Sequence, residues 1–255
     1  MKEYGLIGFP LTHSFSQRYF TEKFAKENIA DSHYQLFELQ NIADFPLLVK
    51  NTEGLCGLNV TLPHKQAVLA YIDELDEVAA KIGAINVIKV LANGKLKGYN
   101  SDYYGFLLSL QNFLHKENAE KNLTTQGLQA LVLGNGGAAQ AVKVALQTLQ
   151  IPYLVVSQRA DKKNTEIVDY EEVARLLPSH KLVINTTPLG MYPNIETAPN
   201  LPYAAFTPQH YVFDLVYNPA TTLCMQKAAE HGAKVQNGLE MLYFQAEKAW
   251  EIWGL

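Results

Sequence analysis

Apolar positions recur along the chain at two periods. Residues 3–8, 33–39 and 55–60 form short apolar runs that read as strands, and 16–27, with Phe20 and Phe24 one turn apart, reads as a helix. A second helix is expected from Pro63, because proline suits the first helical position and biases Leu62 before it toward extended geometry. Ala92-Asn93-Gly94 carries a strong turn signal between two strands of a hairpin, and 106–114 reads as a helix. A polar stretch over 116–127 follows, and then the pattern becomes regular. Strands at 130–133, 153–156, 182–184 and 211–213 alternate with helices at 138–149, 170–176 and near 221–230. That alternation predicts βαβ units and a parallel sheet, so the second half reads as a doubly wound α/β domain. In 238–253, Leu239, Leu242, Ala246, Ala249 and Trp253 fall on one helical face, the pattern of a core-packing helix.

Composition narrows the function classes. Lys+Arg number 21 against 25 Asp+Glu, a formal charge of −4, with 48% apolar and 18% charged residues. This is the balance of a globular chain able to bury a core. The mild negative charge, with no basic run longer than Lys162-Lys163, argues against nucleic acid as a partner. The longest uninterrupted apolar run is the six residues from Ala67 to Ile72, against the ~20 that a spanning helix needs, so no membrane partner is expected. The opening residues are too briefly apolar for a signal peptide, which reads as a cytoplasmic protein. Cys56 and Cys224 then read as small core residues, not a disulfide. No second His, Cys or acid stands at metal-ligand spacing from His13, so His13 reads as structural and no metal is expected.

The first chemistry-bearing motif is Gly134-Asn135-Gly136-Gly137-Ala138-Ala139, directly after the strand 130–133 and opening a helix. It fits the G-x-G-x-x-G/A loop of a dinucleotide site in its proper βαβ context. Gly134 permits the tight turn, Gly136 lets backbone approach a pyrophosphate, and the small Ala139 allows close helix–sheet packing. The helix N-terminus offers unpaired N–H groups to the anion. A tight turn without ligand and an S-adenosylmethionine site stay open on the loop alone. About 20 residues on, where an NAD site offers an acid to the ribose, stand Ser157, Gln158 and Arg159. Arg159, with Lys162 and Lys163 near it, offers a fork and two point charges to a 2′-phosphate, which favours NADP. Asp161 is a competing partner for Arg159.

Polar side chains also interrupt the apolar runs of the first half. Strand alternation sends Leu58 and Val60 to one face and Asn59 with Thr61 to the other. Asn86 breaks Ala84-Ile85-Asn86-Val87-Ile88, so it is expected to be buried and satisfied by a structural partner or by a ligand hydroxyl. Lys65 is expected in the first turn of the helix from Pro63, where the dipole disfavours a cation; an acid/base group and a solvated surface lysine are the two readings. Asp102 begins the helix toward Leu114, as an N-cap or as a functional acid. Ser14 and Ser16 look like N-cap hydroxyls that also make a carboxylate site.

Taken together, these residues resemble the shikimate dehydrogenase family over nearly the whole chain. The resemblance is carried by Gly8-Phe9-Pro10 with His13-Ser14-Phe15-Ser16, Asn59-Val60-Thr61-Leu62-Pro63-His64-Lys65, Gly83-Ala84-Ile85-Asn86 and Asn100-Ser101-Asp102. It continues through the glycine loop, Asn185-Thr186-Thr187-Pro188-Leu189-Gly190-Met191, Asp214-Leu215-Val216-Tyr217-Asn218-Pro219 and the segment from Gly238 to Gln245. The family's Asn-Arg-Thr at the phosphate-binding strand end stands here as Gln158-Arg159-Ala160.

The resemblance implies an α/β protein of two domains. A substrate-binding domain covers 1–102 plus 238–255, a Rossmann-type NADP-binding domain covers 103–237, and the active site lies in the cleft between them. It implies NADPH-dependent reduction of 3-dehydroshikimate to shikimate on the route to chorismate and the aromatic amino acids. Lys65 matches the catalytic lysine and Asp102 its partner. Ser14, Ser16, Asn59, Thr61, Asn86, Tyr217 and Gln245 match substrate contacts. Gly134, Asn135, Gly136, Gly137, Ala138, Ser157, Gln158, Arg159, Thr187, Leu215 and Gly238 match cofactor contacts, and Glu77 falls where the family often has an acid near the cofactor. Such chemistry needs a hydride from the nicotinamide while a proton moves at the oxygen, with Lys65 as proton carrier or as an ammonium stabilising the alkoxide. A monomer or a homodimer acting on a small molecule is expected. The alternatives are a quinate/shikimate dehydrogenase using NAD and a non-catalytic dinucleotide-binding sensor.

Overall fold

The computed structural model describes residues 1–11, 14–118, 127–158 and 166–255. Their contacts divide the chain into two compact units, Met1–Ser101 with Ala246–Leu255, and Asp102–Gln245. The boundaries expected from the resemblance differ from these at Asp102 and over 238–245, which the contacts place in the second unit.

The first unit runs β1 (Lys2–Gly8), α1 (Phe15–Lys26), β2 (Ser32–Glu38), α2 (Phe45–Asn51), β3 (Leu55–Val60), β4 (Glu74–Leu75), α3 (Glu77–Ile82), β5 (Val87–Val90) and β6 (Leu96–Tyr99). Its mixed sheet has the order β2-β1-β3-β5-β6-β4. β1 is parallel to β2 and β3, whereas β5 is antiparallel to β3 and β6 through the turn at Gly94. Strand alternation gives each face its own core. Tyr4 and Leu6 join Phe20, Phe24, Tyr34, Trp250 and Trp253, while Ile7 joins Phe45, Leu58, Val60, Ile85 and Ile88. Gly57 is required under Trp253, because a Cβ there would collide with the indole, whose Nε1–H donates to Ile88 O at 3.0 Å.

The helix expected from Pro63 is not formed. Residues 62–66 make two turns, followed by a short 3-10 helix over Ala67–Tyr71. The physical reason is visible in the backbone: the Lys65 carbonyl accepts from Ile85 N at 2.9 Å, so it is committed across the fold instead of to a helical ladder. The Leu62–Pro63 peptide is cis.

The second unit contains α4 (Ser101–Asn118, from Asp102 on), β7 (Ala130–Leu133), α5 (Gly137–Thr148), β8 (Tyr153–Val156), β9 (Ile167–Val168), α6 (Val173–Leu176), β10 (Leu182–Asn185), β11 (Tyr211–Asp214), α7 (Leu223–Ala229) and β12 (Lys234–Asn237). The start of α8 (Leu239–Trp253) also belongs to it. Its sheet is wholly parallel, in the order β12-β11-β10-β7-β8-β9, which is the doubly wound dinucleotide order with β7 and β10 adjacent at the reversal. β7, β10 and β11 are buried at every residue, as strands covered on both faces must be. The expected helix at 170–176 is a 3-10 turn followed by one α turn. In α8 the buried face is Ala246, Ala249, Trp250 and Trp253; Leu239 at its start is exposed, because it precedes the stretch that meets a core. Among the described residues, no helix is long and apolar enough to cross a membrane, and no three His, Cys, Asp or Glu side chains group to hold a metal.

Candidate functional site

In the first unit, the expected substrate residues gather at the C-terminal ends of β1 and β3 and the start of α1. Ser14 caps α1, accepting from Gln17 N at 3.2 Å. Gly8 gives Thr61 its place, since a Cβ there would collide with the threonine methyl, and Thr61 N donates to Ile7 O at 2.9 Å. Asn59 is buried on the face away from Leu58 and Val60; its Oδ1 accepts from the Tyr34 hydroxyl at 2.7 Å and its Nδ2 points at Asn86 O at 3.4 Å. Asn86 is buried too, and pairs with Ser101 twice: its Oδ1 accepts from Ser101 N at 2.6 Å and its Nδ2 donates to Ser101 Oγ at 3.0 Å. Asn100 Nδ2 holds Ala84 O at 2.9 Å. Burial of these amides is therefore offset by hydrogen bonds inside the fold.

Lys65 is half-buried in the turn after β3. Its neighbour His64 is buried, with Nε2 at 2.5 Å from Leu39 O, so the turn is anchored on both sides of the lysine backbone. Glu77 is exposed at the first residue of α3, which Asp76 caps by accepting from Val78 N at 3.0 Å. A carboxylate in that turn complements the helix dipole, a structural duty independent of any cofactor.

In the second unit, Asp102 is half-buried at the second residue of α4, inside the first turn and not at the N-cap. One turn on, Gly105 lets α8 approach: a Cβ there would lie 2.6 Å from Met241 O and 3.0 Å from Gln245 Cβ. The close passage of these helices brings Gln245 beside the turn that starts at Asp102. Gln245 Nε2 donates to Leu242 O at 2.9 Å, and Tyr217 is exposed.

The glycine loop sits between β7 and α5. Gly134 has φ +95°, and a Cβ on it would come within 3.0 Å of Thr187 Cγ2 and 3.1 Å of Thr186 Oγ1, so the loops after β7 and β10 touch there. Above Gly136 and Gly137 a Cβ would meet nothing within 4 Å, and Gly136, the N-cap of α5, supplies no side-chain acceptor to the helix. Open space over uncapped N–H groups is the cradle an anion needs. Asn135 Oδ1 accepts from Lys143 Nζ at 3.3 Å. Ala138 lies in the first turn, and Ser157 N donates to Val168 O at 3.0 Å, with Gln158 exposed beyond it. Arg159, Asp161, Lys162 and Lys163 lie outside the described residues, as does His13.

A buried network under this loop went unread in the sequence. Asp214 Oδ1 accepts from Asn185 Nδ2 at 3.0 Å and Val216 N at 3.1 Å, and its Oδ2 accepts from Thr222 Oγ1 at 2.6 Å. Asn185 Oδ1 in turn accepts from Thr187 Oγ1 at 2.6 Å and Thr187 N at 3.1 Å. Burial pushes the Asp214 carboxyl up to about 6, against the pull of its three donors. Leu215 N donates to Asn185 O at 3.0 Å, and Gly238 is required beside Leu215, whose carbonyl oxygen a Cβ would strike. The available signal was polar termini, Asn185 and Asp214, on otherwise apolar strands.

Comparison with known proteins agrees with both halves. The family model described as the shikimate dehydrogenase substrate binding domain matches residues 6–88. The shikimate dehydrogenase (NADP(+)) of Geobacillus kaustophilus is 34% identical over 264 aligned residues, covering 99% of this chain and 92% of that one. The crystal structure of a chorismate mutase/shikimate 5-dehydrogenase fusion protein from Clostridium acetobutylicum superposes with a TM-score of 0.85 at 33% identity, covering 99% of this chain and 91% of that chain. The Thermus thermophilus shikimate 5-dehydrogenase, in complex with NADP(H) and shikimate, gives a TM-score of 0.80 at 30% identity, covering 100% of this chain and 94% of that chain. On these matches over nearly its whole length, the chain belongs to the shikimate dehydrogenase family.

Proposed function

We propose that the protein catalyses the NADPH-dependent reduction of 3-dehydroshikimate to shikimate, in the cytoplasm, as a monomer or homodimer. The observation that carries the reading is the glycine cradle at the N-terminus of α5, joined in one chain to the polar cluster of Ser14, Ser16, Asn59, Thr61 and Asn86. Residues 1–102 with 238–255 serve the substrate, and 103–237 the dinucleotide.

The residues fit NADP. Gly134, Asn135, Gly136, Gly137 and Ala138 would hold the pyrophosphate, Ser157, Gln158 and Arg159 the adenosine 2′-phosphate, and Thr187, Leu215, Gly238 and Glu77 would complete the cofactor contacts. The bound nicotinamide supplies the two-electron reduction. Ser14 and Ser16 donate to the substrate carboxylate, and Asn59, Thr61, Asn86, Tyr217 and Gln245 orient the ring and its hydroxyls. The Lys65 ammonium donates a proton to the carbonyl oxygen as charge develops on it, with Asp102 as its partner acid.

The test is turnover of purified protein with shikimate and, separately, quinate, each with NADP and NAD. Shikimate oxidised with NADP, without added metal and without loss on chelation, is the expected result. Dinucleotide binding without turnover of either substrate would instead identify a sensor.

A further inference from the structure

Tyr34 lies in β2, and its ring belongs to the core, stacked on Phe20 at 4.9 Å between centroids. Its hydroxyl does something else. It donates to Asn59 Oδ1 at 2.7 Å, so a side chain assigned above to the substrate is held by a buried phenol.

Proton counting fixes every direction in this cluster. Asn59 Nδ2 faces Asn86 O at 3.4 Å; turning the amide over would set two oxygens against each other. Asn59 Oδ1 therefore faces Tyr34 and can only accept, which takes the single phenolic proton. Burial keeps the Tyr34 hydroxyl protonated, so that its proton stays on offer to the amide oxygen. Ser101 performs the same service for Asn86, whose Oδ1 accepts from Ser101 N. Both amide oxygens are committed inside the fold.

We propose that Tyr34 is a positioning residue for the substrate site: its hydroxyl locks Asn59 with the amide nitrogen as the group available to a ligand. The inference rests on the substrate-site reading of Asn59. It adds that the site is selective for ligand acceptors at Asn59.

The experiment is Tyr34→Phe, which keeps the ring and its stacking. Removing the phenol leaves Asn59 Oδ1 buried without its donor, and the KM for shikimate should rise roughly tenfold while the KM for NADP is unchanged and kcat moves less than about threefold. In an Asn59→Ala background, Tyr34→Phe should add almost nothing, whereas a merely structural defect would add in full. An unchanged shikimate KM in folded Tyr34→Phe, or full additivity, overturns the proposal. Asn59→Ala alone separates the two readings: if it leaves shikimate KM unmoved, the substrate-site assignment of Asn59 fails instead. Should Tyr34→Phe not fold, Asn59→Asp decides, since it keeps an acceptor for Tyr34 but lacks the N–H. A raised shikimate KM supports the proposal, and a KM like that of the unsubstituted protein overturns it.

Discussion

Lys65 shows what a single residue's surroundings contribute. In the role proposed for it, an ammonium on a free loop would sample many positions, and the effective concentration of its proton at the substrate oxygen would be low. Here the chain is held before the lysine by His64 on Leu39 O and at the lysine itself by its carbonyl on Ile85 N. Lys65→Ala should lower kcat by ~10²–10⁴-fold, the usual range of general acid–base catalysis, and change shikimate KM far less; the opposite split would make it a uniform binding group. Arg159→Ala should raise the KM for NADP roughly 10- to 100-fold and leave NAD nearly unaffected, less so at high salt. Equal losses for both cofactors would mean that Arg159 shapes its loop without reading the phosphate. At this scale the face on which Asn59 lies and the burial of Asn86 were legible, because strand alternation fixes the one and an amide inside an apolar run has to be satisfied somewhere. Tyr34 was not, since a tyrosine in a strand is explained completely by its ring. The setting of Lys65 was not legible either: Pro63 fits a helix start locally, and only the distant Ile85 amide decides otherwise.

Elements deliver these residues through strand ends. β7 is apolar throughout and is followed by Gly134, whereas β10 and β11 end on the polar residues Asn185 and Asp214. These buried strands were readable because burial on both faces demands continuous apolar residues. β4 and β9 span two residues each and β12 is half-exposed throughout, so they carry no such signal and exist by pairing with a neighbour. Asp214 gives this scale a measurable pH dependence. Its carboxyl is raised from 3.8 to about 6 by burial, so between those values the folded chain holds a proton that the unfolded chain releases. Stability from this group is therefore present at low pH and is lost as pH rises through about 6, by on the order of 3 kcal/mol at ~1.4 kcal/mol per unit. Asp214→Asn cannot ionise and should lack that component. Denaturant unfolding of both proteins at a series of pH values from about 4 to about 7 should show the unsubstituted protein losing stability relative to the variant. Parallel curves would mean that the three donors hold the carboxylate ionised throughout.

For the whole molecule, the alternation of strands and helices identified a parallel sheet but not its strand order, which depends on crossovers that no local pattern records. Nor does periodicity reveal that the tail of α8 belongs with residues a full chain length away; that expectation came from resemblance, and Gly57 beneath Trp253 is its physical trace. Each unit has its own core. The first includes Tyr4, Phe20, Phe24, Trp250 and Trp253, and the second includes Leu131, Leu133, Val156, Val183 and Val212, with no residue shared. Trp253 lies 5.0 Å from both Tyr4 and Phe20 and holds Ile88 O through its indole. Trp253→Ala should cost the first unit ~3–5 kcal/mol, a large share of the ~5–15 kcal/mol of a typical domain. Calorimetry of the variant should then resolve two transitions, with the first unit melting early. NADP at a hundred times its Kd adds about 2.7 kcal/mol to whatever state binds it, so it should raise the later transition. If Trp253→Ala instead lowers one undivided transition, which NADP raises as a whole, the two cores unfold as a single cooperative unit and the division drawn by contacts has no thermodynamic counterpart.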